Sequence, residues 1–426
     1  MKRRTILLIA ATLVSFLVSR LPASLAADAP KCPNAAVTYW TAFAAMPKLT
    51  EAQANKLRDS MKTVSPPVPA DVRPLAAKFD LALQELQRAH EIACCDWQLD
   101  YQAGPYLRLE HLQHARELGR AALVRARLRF AAGETDAAID DVLATMKMAR
   151  DCGGSPVLIS LLVDVAVEKD AIEVLAANLP RLTPDQLDAL SKSLAQLPAT
   201  ASLADCVRQE SHMFGGWLQR RVAAEVAKLN DPQAGWKIIK ALQKDGVAAE
   251  WALKILDEGD PADAAPTAAG EAEFKRRRDL VRSMTVAEVQ QAIKVLQADY
   301  ETTAKIAALP AAEQAERWAK LEAELGASRE LAKREDLLRI FSSSFLPSTR
   351  VAAMSEERIR VLRGLLVLAV QIQRHGPDAL KNAPPIGQGK IAYQKGENGF
   401  ELTVNCAVPE KTVTLRVGPD VQAKSP

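Results

Sequence analysis

The sequence contains little that points to one particular chemistry. Only 19 of its 426 residues are glycine and only 5% are aromatic. It has no phosphate-binding loop, dinucleotide-binding fingerprint, nucleophile elbow or Cys-x-x-Cys pair. Six cysteines in a chain of this length are too few for a disulfide scaffold, so a hydrophobic core must supply most of the stability. These absences leave no catalytic signature from which an enzyme class would follow.

Long apolar runs are also missing beyond the N-terminus. No segment after residue 26 reaches 18 consecutive apolar residues, so no later transmembrane helix is predicted. Charge of one sign is not in excess either. Removing residues 1–26 removes four of the 55 basic residues and none of the 52 acidic ones, which leaves a net charge of −1. This balance gives no electrostatic support for nucleic acid as a partner.

The first 26 residues have the pattern of an export signal. Basic residues at 2–4 precede a thirteen-residue, mostly apolar run at 6–18, and Ser24 and Ala26 stand at positions −3 and −1 of a cut after Ala26. We therefore expect an exported protein in the periplasm or the extracellular space, with no transmembrane segment after cleavage. An uncleaved N-terminal membrane anchor is the alternative.

Helix signals dominate the remaining chain. Thr50 and Thr285 each open a capping box, and Pro184 follows a capping threonine at the first helical position. A stretch without large apolar residues at 258–270 is typical of a linker. The predicted organisation is a signal peptide at 1–26, a helical-repeat-like domain at 27–257, a linker or flexible loop at 258–270, a second helical region at 271–375 and a small β-containing segment at 376–426.

The clearest unit is a pair of antiparallel helices. Leu109 to Ala132 is predicted as one helix, Gly133 stands just past its end, and Asp136 to Ala149 returns as the second. The first helix carries small residues at spacings of three and four, which allows close approach of a neighbouring helix. The pair is similar to one tetratricopeptide-type hairpin, although no 34-residue period repeats along the chain.

The C-terminal part changes from helical to strand patterns. Residues 390–395 and 400–405 flank Gly396-Glu-Asn-Gly399, which indicates a hairpin, and 412–417 is a candidate third strand. The predicted fold is therefore mainly α, with antiparallel helical hairpins packed as a solenoid-like body and a small C-terminal antiparallel β hairpin or sheet.

Three stretches carry a family resemblance: Asn34–Thr50, Cys95–Glu168 and Arg360–Val404. Together they resemble a group of exported bacterial α-helical proteins to which no activity is assigned. Members of that group join a tetratricopeptide-like N-terminal region to a final helix and hairpin similar to the C-terminal part of type II secretion pseudopilins. The resemblance implies a fold and an exported location, and it implies no catalytic residue.

His111 and His114 are the candidate metal ligands. They are three residues apart on one predicted helix and can face the same side. Two imidazoles and a nearby carboxylate such as Glu117 could begin a zinc site, which needs three or four ligands, and His90, Cys94 or Cys95 could complete it. The competing interpretation is a pair of ordinary histidines at the edge of a polar face.

Cys94, Cys95 and Cys152 are the disulfide candidates. The helix before Cys94 and the helix before Cys152 are expected to run in the same direction, which places these cysteines at one end of the helical layer. We therefore expect Cys94 or Cys95 to be able to pair with Cys152. A redox-active pair is not indicated, because the Cys-x-x-Cys spacing is absent.

Ser160, Asp164 and Glu168 recur every four residues on the most apolar predicted helix. One hypothesis makes Asp164 a buried acid or base. The interpretation we favour at this point is a solvated stripe on an otherwise buried helix.

The expected function is protein binding or scaffolding in the cell envelope, because antiparallel helical hairpins build extended surfaces for partners. Two alternatives follow from the features above. One is a periplasmic metal-dependent hydrolase that uses zinc at His111 and His114, and the other is an accessory protein of a secretion apparatus.

Overall fold

The computed structural model describes residues 32–64, 67–245, 268–346, 349–406 and 412–419. The predicted signal peptide at 1–26 lies outside these ranges, as does most of the predicted linker at 258–270. Within them the fold is mainly α with a small C-terminal antiparallel sheet, as predicted. None of the described helices is both long and apolar enough to span a membrane.

One hydrophobic core is built from both ends of the described chain. The N-terminal helices that form it begin where the sequence supplies caps: Asn34 accepts a hydrogen bond from the Ala36 amide, and Thr50 and Thr183 form capping boxes. These helices are α1 (Ala35–Ala44), α2 (Glu51–Asp59), α3 (Arg73–Ala77), α4 (Asp80–His90), α5 (Glu110–Ala132), α6 (Thr135–Gly153), α7 (Leu158–Asn178) and α8 (Pro184–Gln196).

The predicted antiparallel pair is α5 and α6. Gly133 ends α5 in the left-handed region at φ 83°, where glycine carries no steric penalty. The second helix runs four residues beyond the predicted end and includes Gly153. Gly119, in the small-residue stripe of α5, lies against the side chains of Val167 and Thr145, so the stripe does admit a close neighbour.

A second hydrophobic core is built mainly from residues between 203 and 353. Trp318 is its largest fully buried side chain. A π-helical turn, Ser211–Gly215, joins two of its α-helices without a loop. The helices of this part are α9 (Leu203–Glu210), α10 (Gly216–Val226), α11 (Gly235–Lys244), α12 (Ala268–Arg282), α13 (Val286–Ala307), α14 (Ala311–Arg329) and α15 (Ser342–Phe345).

Two long helices belong to both cores. Leu158 and Leu161 at the start of α7 pack in the second core, while the rest of that helix packs in the first. The last helix, α16 (Thr349–His375), likewise begins in the second core and continues in the first. The cores therefore divide the chain differently from the predicted domains, because residues 203–242 pack with the later helices.

The C-terminal sheet has the strand order β1 (Gln388–Lys395), β2 (Phe400–Asn405), β3 (Thr412–Val417), with both pairs antiparallel. Phe400, Leu402 and Val404 alternate on the buried face of β2 and join the first core. The amide of Gly418 donates to the Ala176 carbonyl at 3.1 Å, so the end of the sheet is tied to the end of α7.

Candidate functional site

The N-terminus of α1 is fastened to the segment that precedes α5. The Asn34 side chain accepts from the Asp96 amide at 2.8 Å and donates to the Asp96 carbonyl at 2.7 Å. The Ala35 amide donates to the Cys94 carbonyl at 2.8 Å, and a disulfide joins Cys94 to Cys32. Together these bonds fix the position of residues 94–97 against α1.

The pairing of Cys94 with Cys32 differs from the predicted pairing. Their Cα atoms are 6.2 Å apart, which is within the usual range for a disulfide. Cys95 and Cys152 are free thiols, and burial raises the pKa of Cys95 to about 12. The Asn34 contacts explain the difference, because they bring the chain before α1 beside Cys94 while Cys152 is fully buried.

Trp97 stands at the centre of an aromatic cluster. Its ring stacks on His111 with centroids 4.3 Å apart and also lies near Tyr39 and Phe43. The second histidine, His114, contacts Phe43 at 5.4 Å between centroids. The two histidines therefore do face the same side of α5, but the rings that contact them there belong to Phe43 and Trp97 and are not metal ligands.

The aromatic cluster is anchored from behind by a buried polar network. The indole Nε1 of Trp97 donates to the Asp151 carbonyl at 2.9 Å. The Asp151 carboxylate accepts from the Tyr39 hydroxyl at 2.7 Å and from Lys147 Nζ at 2.6 Å. Burial dominates the resulting rise in the pKa of the Tyr39 hydroxyl, so this group stays protonated. Trp97 is thus held in one orientation before any ligand arrives.

Outside this cluster lies a groove of about 380 Å³, which we call the aromatic groove. Two of its aromatic side chains are open to solvent: Trp40 is 42% exposed and Tyr106 is 56% exposed. Polar and charged side chains, including Arg108 and Glu110, surround them. The lining residues are Trp40, Trp97, Gln98, Leu99, Asp100, Ala103, Tyr106, Leu107, Arg108, Glu110 and His111.

His111 is the least exposed of the polar residues that line the aromatic groove. Only 1% of this residue is exposed, and its Nε2 atom has no hydrogen-bond partner among the described residues. Burial, with a smaller contribution from His114, lowers its pKa to about 4. The imidazole is therefore neutral at neutral pH, and its buried Nε2 atom is an unpaired polar group beneath the groove.

The outer wall of the aromatic groove rests on the second core. In this wall, the 3₁₀ helix Tyr101–Tyr106, Gly104 packs directly on the ring of Trp217. The Gln102 carbonyl accepts from Arg220 Nη2 at 3.0 Å. Every residue that lines the groove lies between positions 40 and 111, so the second core supports this wall from outside the groove.

The structure places no third metal ligand beside His111 and His114 among the described residues. Among the described residues, no group of three or more histidine, cysteine, aspartate or glutamate side chains is placed to hold a metal ion. The sequence indicated that the two histidines share a face. It did not indicate Tyr106, whose position depends on the contact between its loop and the second core.

The predicted solvated stripe on α7 is wrong. Ser160, Asp164 and Glu168 are all fully buried, because α6 and α16 cover this face. Glu168 accepts from Arg150 Nη2 at 2.8 Å and from Arg363 Nε at 2.9 Å. These two cations come from α6 and α16, and their ion pairs compensate for the hydration that the Glu168 carboxylate loses on burial. The sequence alone does not reveal it, because Arg363 is 195 residues away.

Asp164 belongs to the same ionic cluster. Its Oδ2 accepts from Arg363 Nη2 at 3.1 Å, while its Oδ1 and the hydroxyl of Ser160 have no partner among the described residues. Burial and the neighbouring Glu168 raise the pKa of this carboxyl to about 7. The ion pairs of this cluster join α6, α7 and α16.

Comparisons with protein-family models, with curated proteins and with solved structures found no match for this chain. The candidate site therefore rests on its geometry.

Proposed function

We propose that this is an exported binding protein, and that the aromatic groove holds an extended segment of a partner protein in the cell envelope. The observation that carries this proposal is the groove itself, with two solvent-exposed aromatic rings beside the fixed ring of Trp97. Aromatic-lined grooves recognise extended, proline-containing segments because such segments lose little entropy on binding.

Two further observations support the proposal. The Cys32–Cys94 disulfide suits an oxidising compartment outside the cytoplasm, in agreement with the export pattern at 1–26. The network around Asp151 fixes Trp97 before binding, which lowers the ordering cost that a ligand has to offset.

In-cell photo-crosslinking tests this proposal. A photo-reactive phenylalanine analogue at Tyr106 is expected to crosslink an envelope protein in the exporting host. The same analogue at Leu81, which is 60% exposed on α4, is the matched control. The crosslinked segment is then synthesised as a peptide, and its affinity is measured by calorimetry.

Trp40→Ala is expected to weaken binding of that peptide by about tenfold or more, since exposed aromatic anchors dominate such interfaces. Leu81→Ala should leave the affinity unchanged. Equal crosslinking at both positions, or a peptide whose affinity ignores Trp40→Ala, would contradict the proposal.

A further inference from the structure

A second groove runs along α16, on a part of the molecule separate from the aromatic groove. It has a volume of about 650 Å³, within the range of small-molecule sites. One side is the helix face that includes Gly364, Val367 and Leu368, and the other is the 3₁₀ helix Pro377–Asn382 with the residues after it. We call this the α16 groove.

The middle of the α16 groove is apolar. Leu368 forms part of its buried surface, and Ala379, Ala383 and Pro384 line the opposite side. Val367 is 47% exposed, an unusual position for a large apolar side chain in a helix whose neighbouring residues are buried. A ligand that covered Val367 would gain from removing this surface from water.

The two ends of the α16 groove are polar and differ in charge. Arg363 lies at one end, and His375 and Asp378 lie at the other. The twelve residues from Arg363 to His375 on a continuous helix place these ends roughly 18 Å apart. The groove therefore fits an elongated molecule with one polar head and a long apolar body.

Arg363 has one donor group to spare. Its Nε and Nη2 atoms bond to Glu168 and Asp164 beneath the groove, but Nη1 makes no hydrogen bond to another described residue. A guanidinium donates five hydrogens, so two remain for a ligand. Arg150 also neutralises Glu168, which limits the repulsion that an incoming anion would meet.

We infer that the α16 groove binds a free long-chain carboxylate, with its head group on Arg363 Nη1 and its alkyl chain against Val367 and Leu368. Nη1 is part of a permanently cationic group, so its hydrogen bond to a carboxylate oxygen is charge-assisted. The inference stands independently of the aromatic groove and of its partner.

Calorimetry on the full chain tests the inference, with dodecanoate below its micelle concentration as the probe. Dodecanoate is expected to bind one per chain. Dodecanol, which lacks the charge, should bind about tenfold or more weakly, because a hydrogen-bonded charged group is lost. Dodecyltrimethylammonium should not bind. Equal affinity for all three would overturn the inference.

A pair of variants on one helix locates the site. Val367→Asp places a carboxylate on the apolar wall and should weaken dodecanoate binding by about tenfold or more. Val351→Asp is the control, since Val351 is 59% exposed on the same helix outside the groove. Arg363 is left intact, because its removal would strip two buried carboxylates of a cation.

Unchanged dodecanoate affinity in Val367→Asp would overturn the assignment to this groove. A change in oligomeric mass by sedimentation for Val367→Asp, but not for Val351→Asp, would also overturn it, since the groove would then be an interface between copies. Binding to anionic phospholipid vesicles without binding of monomeric dodecanoate would point to a membrane surface instead.

Discussion

Asp164 shows how strongly one residue depends on partners from distant parts of the chain. Its carboxyl is fully buried, and its pKa rises to about 7 through burial and the adjacent Glu168. Unfolding returns the pKa to its ordinary value, so the folded state binds more protons between pH 4 and 7. The stability associated with Asp164 is therefore present at low pH and is lost as the pH rises through that window.

Asp164→Asn removes this titration. The free energy of unfolding of the variant, relative to that of the original protein, should rise steadily from pH 4 to 7. Urea unfolding at several pH values measures the difference. A difference that does not change with pH would show that the carboxyl titrates at its ordinary pKa in the folded protein.

His111 is expected to act in the opposite direction. Its pKa falls to about 4 in the folded protein, so acid favours the unfolded state, in which the imidazole is more readily protonated. Stability from this residue is present above pH 6.5 and is lost as the pH falls toward 4. Between pH 7 and pH 5, the free energy of unfolding of His111→Phe should fall by about 1–2 kcal/mol less than that of the original protein. Equal acid sensitivity of both proteins in urea unfolding would rule this out.

Residue-level predictions from the sequence succeeded where the information was local. The spacing of His111 and His114 correctly predicted a shared face. The same logic failed for Asp164 and Glu168, because a polar residue every fourth position can face either water or buried cations. Choosing between the two required knowing that Arg363 packs against α7.

Among the elements, α6 and α7 approach each other closely where Gly153 lies against the side chain of Asp164. A Cβ added at Gly153 would lie 2.8 Å from the Cβ of Asp164, which is too close. Gly153→Ala should therefore destabilise the protein by about 1–3 kcal/mol in urea unfolding. Gly326→Ala is the control: no atom outside its own helix lies within 4 Å, so it should stabilise by about 0.5–1 kcal/mol. Equal effects of the two changes would contradict this close contact.

The disulfide should stabilise the link between α1 and the segment before α5. It spans 62 residues, so Cys32→Ser with Cys94→Ser should lower the free energy of unfolding by about 2–5 kcal/mol. Cys95→Ser changes a free thiol next in sequence and should have a much smaller effect. Equal losses in the two variants, measured without reductant, would show that the crosslink contributes little.

The starts of helices were more predictable from the sequence than the contacts between distant segments. The capping boxes predicted at Thr50 and Thr285 and the helix start predicted at Thr183-Pro184 are confirmed. These signals are local hydrogen-bonding patterns. The pairing of Cys94 with Cys32 was missed because it depends on Asn34, whose side chain spans two segments that are 62 residues apart.

At the scale of the whole molecule, the first core is closed by the last helix and the sheet. Residues between 203 and 353, which build most of the second core, are inserted in sequence between segments of the first. A sequence-based boundary at 258–270 placed the division at a composition change, whereas the cores divide along α7 and α16. Each of these two helices contributes apolar residues to both cores, and the order of apolar residues along the sequence does not show which core each residue joins.

This arrangement predicts that the two cores open separately under native conditions. Trp318→Ala removes the largest side chain of the second core and should cost that core about 3–5 kcal/mol. Hydrogen exchange followed by mass spectrometry should then show faster exchange in α13 and α14, with α5 and α6 still protected. Leu118→Ala, in the fully buried centre of the first core, is the reciprocal control and should loosen α5 and α6. Matching loss of protection in both parts for either variant would mean that α7 and α16, which belong to both cores, couple them into one cooperative unit.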